Sequence, residues 1–246
     1  MTDREIVLLE RGFVLHQRPY RNTSQLLECL TAAHGRVGLV ARGSRRPGSR
    51  ERALLQPFTP LKLSWNRRGD LGRLTYVEPE GAAHRLEGQA LLAGFYVNEL
   101  VLRLLARGDS NAEVFSCYSR CLAELADGAG AARALRLFEL RLLQALGYGL
   151  ELDRDLGTGE PIVAERRYAF ELERGFVASD GPVDPFDDDG DIYSGADLIA
   201  LRDEALDTAT SLRAAQRLLA RVLDAYLGER PLKTRAVLRD IVSRGL

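Results

Sequence analysis

The chain is poor in the residues that build metal sites and disulfide frameworks. Its 246 residues include three cysteines (Cys29, Cys117, Cys121) and three histidines (His16, His34, His84). An odd number of thiols cannot all pair within one chain, and no C-x-x-C occurs, which argues against a disulfide scaffold and leaves a zinc site few ligands to draw on. Cys117 and Cys121 lie one helical turn apart, but without a third thiol or a histidine beside them they read as small buried apolar residues. No apolar run approaches the roughly 18 residues of a membrane span. The first apolar stretch follows Arg4 and Glu5 and breaks at Glu10 and Arg11, so no secretory leader is expected and the cytoplasm is the expected place. Catalytic signatures are missing as well: there is no Walker loop, no G-x-S-x-G and no H-E-x-x-H. The glycine pairs 147/149 and 157/159 lack the third glycine and the strand–helix frame of a dinucleotide site. These absences predict a protein without cofactor or metal and without enzymatic activity.

Lysine is scarce too, confined to Lys62 and Lys233, so arginine carries the positive charge. The net charge of −1 hides a strong asymmetry. Residues 1–80 hold 14 Lys+Arg against 8 Asp+Glu, residues 81–150 balance at 7 each, residues 151–210 hold 5 against 17, and residues 211–246 hold 8 against 3. A basic start and a basic tail thus bracket an acidic segment. With 46% hydrophobic and 28% charged residues the composition is that of a globular chain long enough for a sizeable core.

The first 80 residues carry short apolar runs rich in Val, Leu and aromatics and punctuated by turn formers, the pattern of a small all-β domain. Strands are expected over 5–17, 25–31, 36–41, 61–65 and 71–77, with Gly35 in a tight hairpin turn and residues 66–70 in a second. Five such strands fit a closed barrel of the oligonucleotide-binding (OB) type, because closure removes exposed edges. Between the hairpins, residues 36–52 place Arg36, Arg42, Arg45, Arg46, Arg50 and Arg52 against a single acid, with Gly43, Pro47 and Gly48 keeping the segment irregular. A loose cationic loop is expected there. Guanidinium groups match phosphate bidentately and can follow a nucleic-acid backbone without reading bases. Tyr20, Trp65 and Tyr76 are candidates for base stacking, with core or rim packing as the alternative.

From about residue 86 the apolar period changes to three and four. Helices are expected over 86–105, with Asn98 and Glu99 on the polar side, over 112–126, capped by Asp109 or Ser110, and over 131–146. Residues 151–195 lose that period and predict a loop region with short strands at 168–172 and 175–178. The aspartate run within 184–191 fails the register of a calcium loop and reads as a solvated acidic loop. Helices return over 196–205, 211–227 and 232–244. The fold class expected is α+β in two domains: an OB barrel over 1–80 and a mostly helical domain over 81–246 with an insertion at about 151–195.

Several phrases, weak singly, resemble the bacterial recombination mediator protein O (RecO) family in order and spread. They are Arg18-Pro19-Tyr20, Ser24-x-Leu26-Leu27, Thr31-x-x-x-Gly35-Arg36-Val37, Val40-Ala41-Arg42-Gly43-Ser44-Arg45 and Leu55-Gln56-Pro57-Phe58-Thr59-Pro60-Leu61. Further along come Gly94-Phe95-Tyr96-Val97-Asn98-Glu99-Leu100, Leu135-Arg136-Leu137-Phe138-Glu139-Leu140, Leu146-Gly147-Tyr148-Gly149 and Tyr226-Leu227-Gly228-x-x-Pro231-Leu232-Lys233-Thr234-Arg235. The resemblance implies a DNA repair and recombination mediator, cytoplasmic and nucleoid-associated. Such a protein binds single- and double-stranded DNA, anneals complementary strands coated by single-strand-binding protein, and assists RecA loading with RecR as partner. Many members carry a four-cysteine zinc site after the Gly-Tyr-Gly phrase. No cysteine follows Cys121 here, so the chain resembles the zinc-free branch.

The expected DNA contacts are Arg36, Arg42, Arg45, Arg46 and Arg50, with Lys233 and Arg235 as a second set; the alternative for these last two is cations at a helix C-terminus. Arg136, with Phe138 beside it, matches the family position that receives the acidic C-terminal tail of single-strand-binding protein, where an arginine pairs with carboxylate and a groove takes an apolar end. Two other readings compete: an OB-domain adaptor that meets only protein, and a hydrolase using the acidic cluster at 184–191 with a divalent ion.

Overall fold

The computed structural model describes residues 5–128, 130–172, 174–181, 190–228 and 232–235. Its first element, β1, runs unbroken from Glu5 to Tyr20. It is followed by β2 (Ser24–Thr31), β3 (Gly35–Ala41), the short helix α1 (Arg50–Leu54), β4 (Leu61–Arg67) and β5 (Leu71–Pro79). The strands join in the order β1-β2-β3-β5-β4 and close into a barrel, the expected OB topology. Every pairing is antiparallel except the closing seam, where Gly38, Leu39 and Val40 of β3 run parallel to Leu71, Gly72 and Arg73 of β5. Inward-facing Val14, Leu27, Leu39, Leu63 and Trp65 fill the interior, as two-residue alternation requires. β1 outruns its expected end at residue 17 and passes through Pro19. Beyond Gly12 its partner is β2, so the missing proline N–H lies on the side that no ladder uses.

Two helices pack on this barrel: α2 (Gly88–Leu104) and α3 (Ala112–Ala126). Their attachment is polar as well as apolar. Asn98, expected on the polar side of α2, is buried. Its Nδ2 donates to Leu15 O of β1 (2.9 Å) and its Oδ1 accepts from Tyr118 Oη of α3 (2.7 Å). Phe13 of β1 meets Phe115 and Tyr118 at ring separations of 5.7 and 5.1 Å. The cap of α3 is Asn111, whose Oδ1 accepts from Glu113 N and Val114 N, and not Asp109 or Ser110. Those two residues serve the β2–β3 turn instead: Ser110 Oγ donates to Ala33 O, and Asp109 O lies 1.7 Å from where a Cβ on Gly35 would sit. With φ at +61°, Gly35 is therefore required twice over.

The chain divides into two compact units, one formed by residues 1–131 and 232–246, the other by 132–231. The boundary near residue 80 separates strands from helices by composition, whereas the compact units keep α2 and α3 with the barrel, for the contacts just named. Unit 2 holds α4 (Ala131–Ala145), β6 (Arg167–Glu171), β7 (Gly175–Ala178), β8 (Ile192–Ser194), α5 (Gly195–Arg202) and α6 (Ala209–Leu227). The three strands form one sheet in the order β7-β6-β8; the short β8 was not foreseen. Arg217 of α6 donates to Ile192 O (2.8 Å) and stacks over Tyr193, 4.5 Å from the ring centre, which fastens α6 to β8. The loop before β6 is organised by one buried carboxylate. Asp155 accepts from Gly157 N (2.8 Å), Thr158 Oγ1 (3.1 Å) and Ala178 N of β7 (3.3 Å). Burial pushes its pKa up, but these donors outweigh it and hold the carboxyl below its ordinary value.

Among the described residues no helix is long and apolar enough to cross a membrane, and no three His, Cys, Asp or Glu side chains gather as a metal site. The acidic run at 184–189 and residues 236–244 of the helix expected over 232–244 lie outside the described residues.

Candidate nucleic-acid interface

The segment expected to be a loose loop is wound into successive turns. Ser44 is buried and its Oγ donates to Ala41 O (3.0 Å), tying the loop to the end of β3. Arg45 N donates to Thr23 O of the β1–β2 turn (2.9 Å), Arg46 N to Gly43 O (3.0 Å) and Ser49 N to Arg46 O (3.1 Å). α1 follows, and Leu55 anchors its end in the barrel interior. With the backbone bonded inward, the side chains of Arg42, Arg45, Arg46 and Arg50 are exposed. No carboxylate of the described residues forms an ion pair with any of the four.

Arg42 and Arg46 line a groove of about 900 Å³ together with Tyr20 and Arg21 at the β1–β2 turn and Arg73 at the start of β5. Among the described residues no acidic side chain lines it. The guanidinium of Arg21 sits 5.4 Å from the Tyr20 ring centre, covering the one aromatic among the described residues of the groove. Arg21 and Arg73 escaped the reading of the sequence. Arg21 follows the Arg18-Pro19-Tyr20 phrase directly, in a turn that flanks the OB binding face. Arg73 stood in an ordinary strand alternation, and only the β3–β5 seam brings it to the groove.

The other expected contacts are placed differently. Arg36 lies on β3, outside the groove, and caps the end of α2: Nη1 donates to Leu102 O and to Leu105 O (2.8 Å), while Nε lies 3.5 Å from Glu28. Those are the unpaired carbonyls of a helix C-terminus, which favour a cation. Burial lowers the Arg36 pKa, with Glu28 acting the other way. Arg107 pairs with Glu28 alongside it. Trp65 is 1% exposed inside the barrel, edge-on to His34 at 5.3 Å, and is withdrawn from any base. Tyr76 is exposed but outside the groove lining, and its hydroxyl donates to Glu78 (2.8 Å), a bond that raises its pKa. Lys233 is exposed and Arg235 half-buried, in a segment held by Glu99 of α2.

In unit 2, Phe138 of α4 is 0% exposed and belongs to the core. The Arg136 side chain is 12% exposed and donates from Nη2 to Oε1 of Glu139 (2.7 Å), whose own side chain is 1% exposed. The pair is largely desolvated, so each charge depends on the other.

A closed five-stranded OB barrel bearing an arginine-lined groove, followed by a second unit of helices and a small sheet, defines a two-domain α+β protein of the OB-barrel class. Sequence comparison narrows that class. The family model described as "Recombination protein O N terminal" matches residues 6–82, and "Recombination protein O C terminal" matches residues 85–236. The chain belongs to the recombination protein O family. It is similar to the DNA repair protein RecO of Methylococcus capsulatus, 44% identical over 97% of this chain and 96% of the relative. It is also similar to those of Nitrosococcus oceani, 45% identical over 96% and 94%, and Coxiella burnetii, 42% identical over 97% and 100%.

Proposed function

We propose that this chain serves DNA repair and homologous recombination by binding single- and double-stranded DNA and annealing complementary strands coated by single-strand-binding protein. In this reading it assists RecA loading together with RecR, and no bond is made or broken. The observation that carries the reading is the groove. Arg21, Arg42, Arg46 and Arg73 converge with no carboxylate among the described residues of its lining, where OB barrels hold oligonucleotides. Guanidinium is always charged and grips phosphate through paired donors. With Tyr20 covered by Arg21 and Trp65 buried, little is left to stack on bases, so the groove holds the backbone without regard to sequence. Arg45 and Arg50 extend the field around it. Annealing follows because screening by arginine removes the repulsion between two strands.

Arg136 is the proposed contact for the tail of single-strand-binding protein, whose carboxylate would compete with Glu139 for its guanidinium. The test is annealing of naked and protein-coated oligonucleotides by wild type, a charge-reversed Arg42/Arg46 variant and Arg136→Ala. The loop variant is expected to fail on both substrates, and Arg136→Ala only on coated strands. If about five arginines contact a single strand, the log–log salt slope is near roughly −3.5. A flat salt dependence, or normal partner binding without DNA affinity, replaces this reading with a protein adaptor.

A further inference from the structure

Two stretches far apart in the chain meet at one carboxylate. Glu99 follows Asn98 on α2; Asn98 turns to the barrel, and Glu99 turns to the segment in which the chain returns to unit 1. Its Oε1 accepts from Lys233 N (3.0 Å), and its Oε2 accepts from Thr234 N (2.9 Å) and Thr234 Oγ1 (2.6 Å). Leu232, just before, is buried. Residues 233–235 form a helical turn, so these N–H groups are the ones a helix start leaves without a partner in its own backbone. A carboxylate satisfies them with charge-assisted bonds. Burial raises the Glu99 pKa, yet the bonds to Thr234 and Lys233, with Arg103 one helical turn away, bring it below the ordinary value. The group that receives the segment is thus an ionised carboxylate, while the Lys233 side chain remains exposed.

We infer that Glu99 is a positioning residue: it fixes the returning segment on the barrel-bearing unit, so that Lys233 acts as a second phosphate contact on the same body as the arginine groove. This rests on the reading that the groove binds DNA. Glu99 touches no DNA itself and bears a charge that repels it, so its contribution runs through Lys233. That distinguishes it from an ordinary surface acid, whose removal raises affinity whatever stands at 233.

The experiment is a double-mutant cycle on the full chain, measuring single-stranded DNA affinity against salt for wild type, Lys233→Ala, Glu99→Ala and the double variant, with Glu99→Gln as a milder change of the same shape. In the wild-type background, Lys233→Ala is expected to cost about fourfold near 0.15 M salt and to reduce the slope by about 0.7. In the Glu99→Ala background the same change is expected to cost nothing further, and in the Glu99→Gln background less than in wild type, while trypsin cleavage after Lys233 becomes faster than in wild type. An equal loss from Lys233→Ala with and without Glu99 overturns the positioning role, as does no loss in the wild-type background while charge reversal at Arg42 and Arg46 still weakens binding. Absence of any salt-dependent DNA binding by wild type overturns the groove reading and this one together. Unfolded Glu99→Ala, seen by circular dichroism, transfers the cycle to Glu99→Gln, whose amide oxygen keeps one acceptor.

Discussion

Arg73 is paired with Val40 across the parallel seam that closes the barrel, which puts a guanidinium from β5 in the same groove as Arg42 of the loop after β3. Charge reversal at Arg73 is therefore expected to weaken DNA binding about as much as reversal at Arg42. Each change removes one phosphate contact and lowers the single-strand salt slope by about 0.7. Arg36→Gln is expected to behave differently, losing stability by about 1 to 2 kcal/mol as the α2 carbonyls lose their cap, with the slope unchanged. Fluorescence anisotropy over a salt series, with a denaturation curve for each variant, separates the two behaviours.

The contrast between Arg73 and Arg36 shows where the sequence was legible. Strand alternation is a local property, and it disclosed the five strands and the barrel. The arginine-rich stretch was visible for the same reason, as were the turn at Gly35 and helix α3. Which arginines face the groove was not visible, because Arg36 owes its place to Glu28 and to the end of α2, while Arg73 owes its place to the seam. Asn98 shows the same limit: an amide on a helix reads as solvated until Leu15 O and Tyr118 Oη supply its partners. The α3 cap was displaced by two residues at most, since Ser110 had a tertiary partner in Ala33 to satisfy first.

Asp155 gives a pH dependence with a defined sign. Its folded pKa lies below the ordinary value of 3.8, so its contribution is fully present above that value and drains away as pH falls through the lower folded one. Asp155→Asn is expected to cost about 2 kcal/mol at neutral pH, since an amide cannot accept at both positions and leaves a buried donor short. Denaturant unfolding of both proteins from pH 6 downward should show the gap between them constant to about pH 5 and narrowing below pH 4. A gap that widens on acidification contradicts this assignment.

Arg136→Ala is expected to do more than remove a docking group. It removes a charge-assisted bond to the buried Glu139 carboxylate and should destabilise unit 2 by about 1.5 to 3 kcal/mol. Adding Glu139→Gln should recover part of that loss, because a neutral amide costs less to keep buried than a carboxylate. The double variant is the cleaner probe of tail docking. Calorimetric titration with the acidic tail peptide is expected to show no binding although the protein is folded. Phe138→Ala, by contrast, empties a core position and should cost about 3 to 5 kcal/mol without selective loss of any partner.

The single tryptophan of the chain, Trp65, is sealed in the barrel interior, and unit 2 contains none. Its emission is thus a private signal of one half of the molecule, while circular dichroism reads helices in both. If the two halves melt at different temperatures, the optical traces separate without any label; if they coincide, the molecule unfolds as one cooperative block.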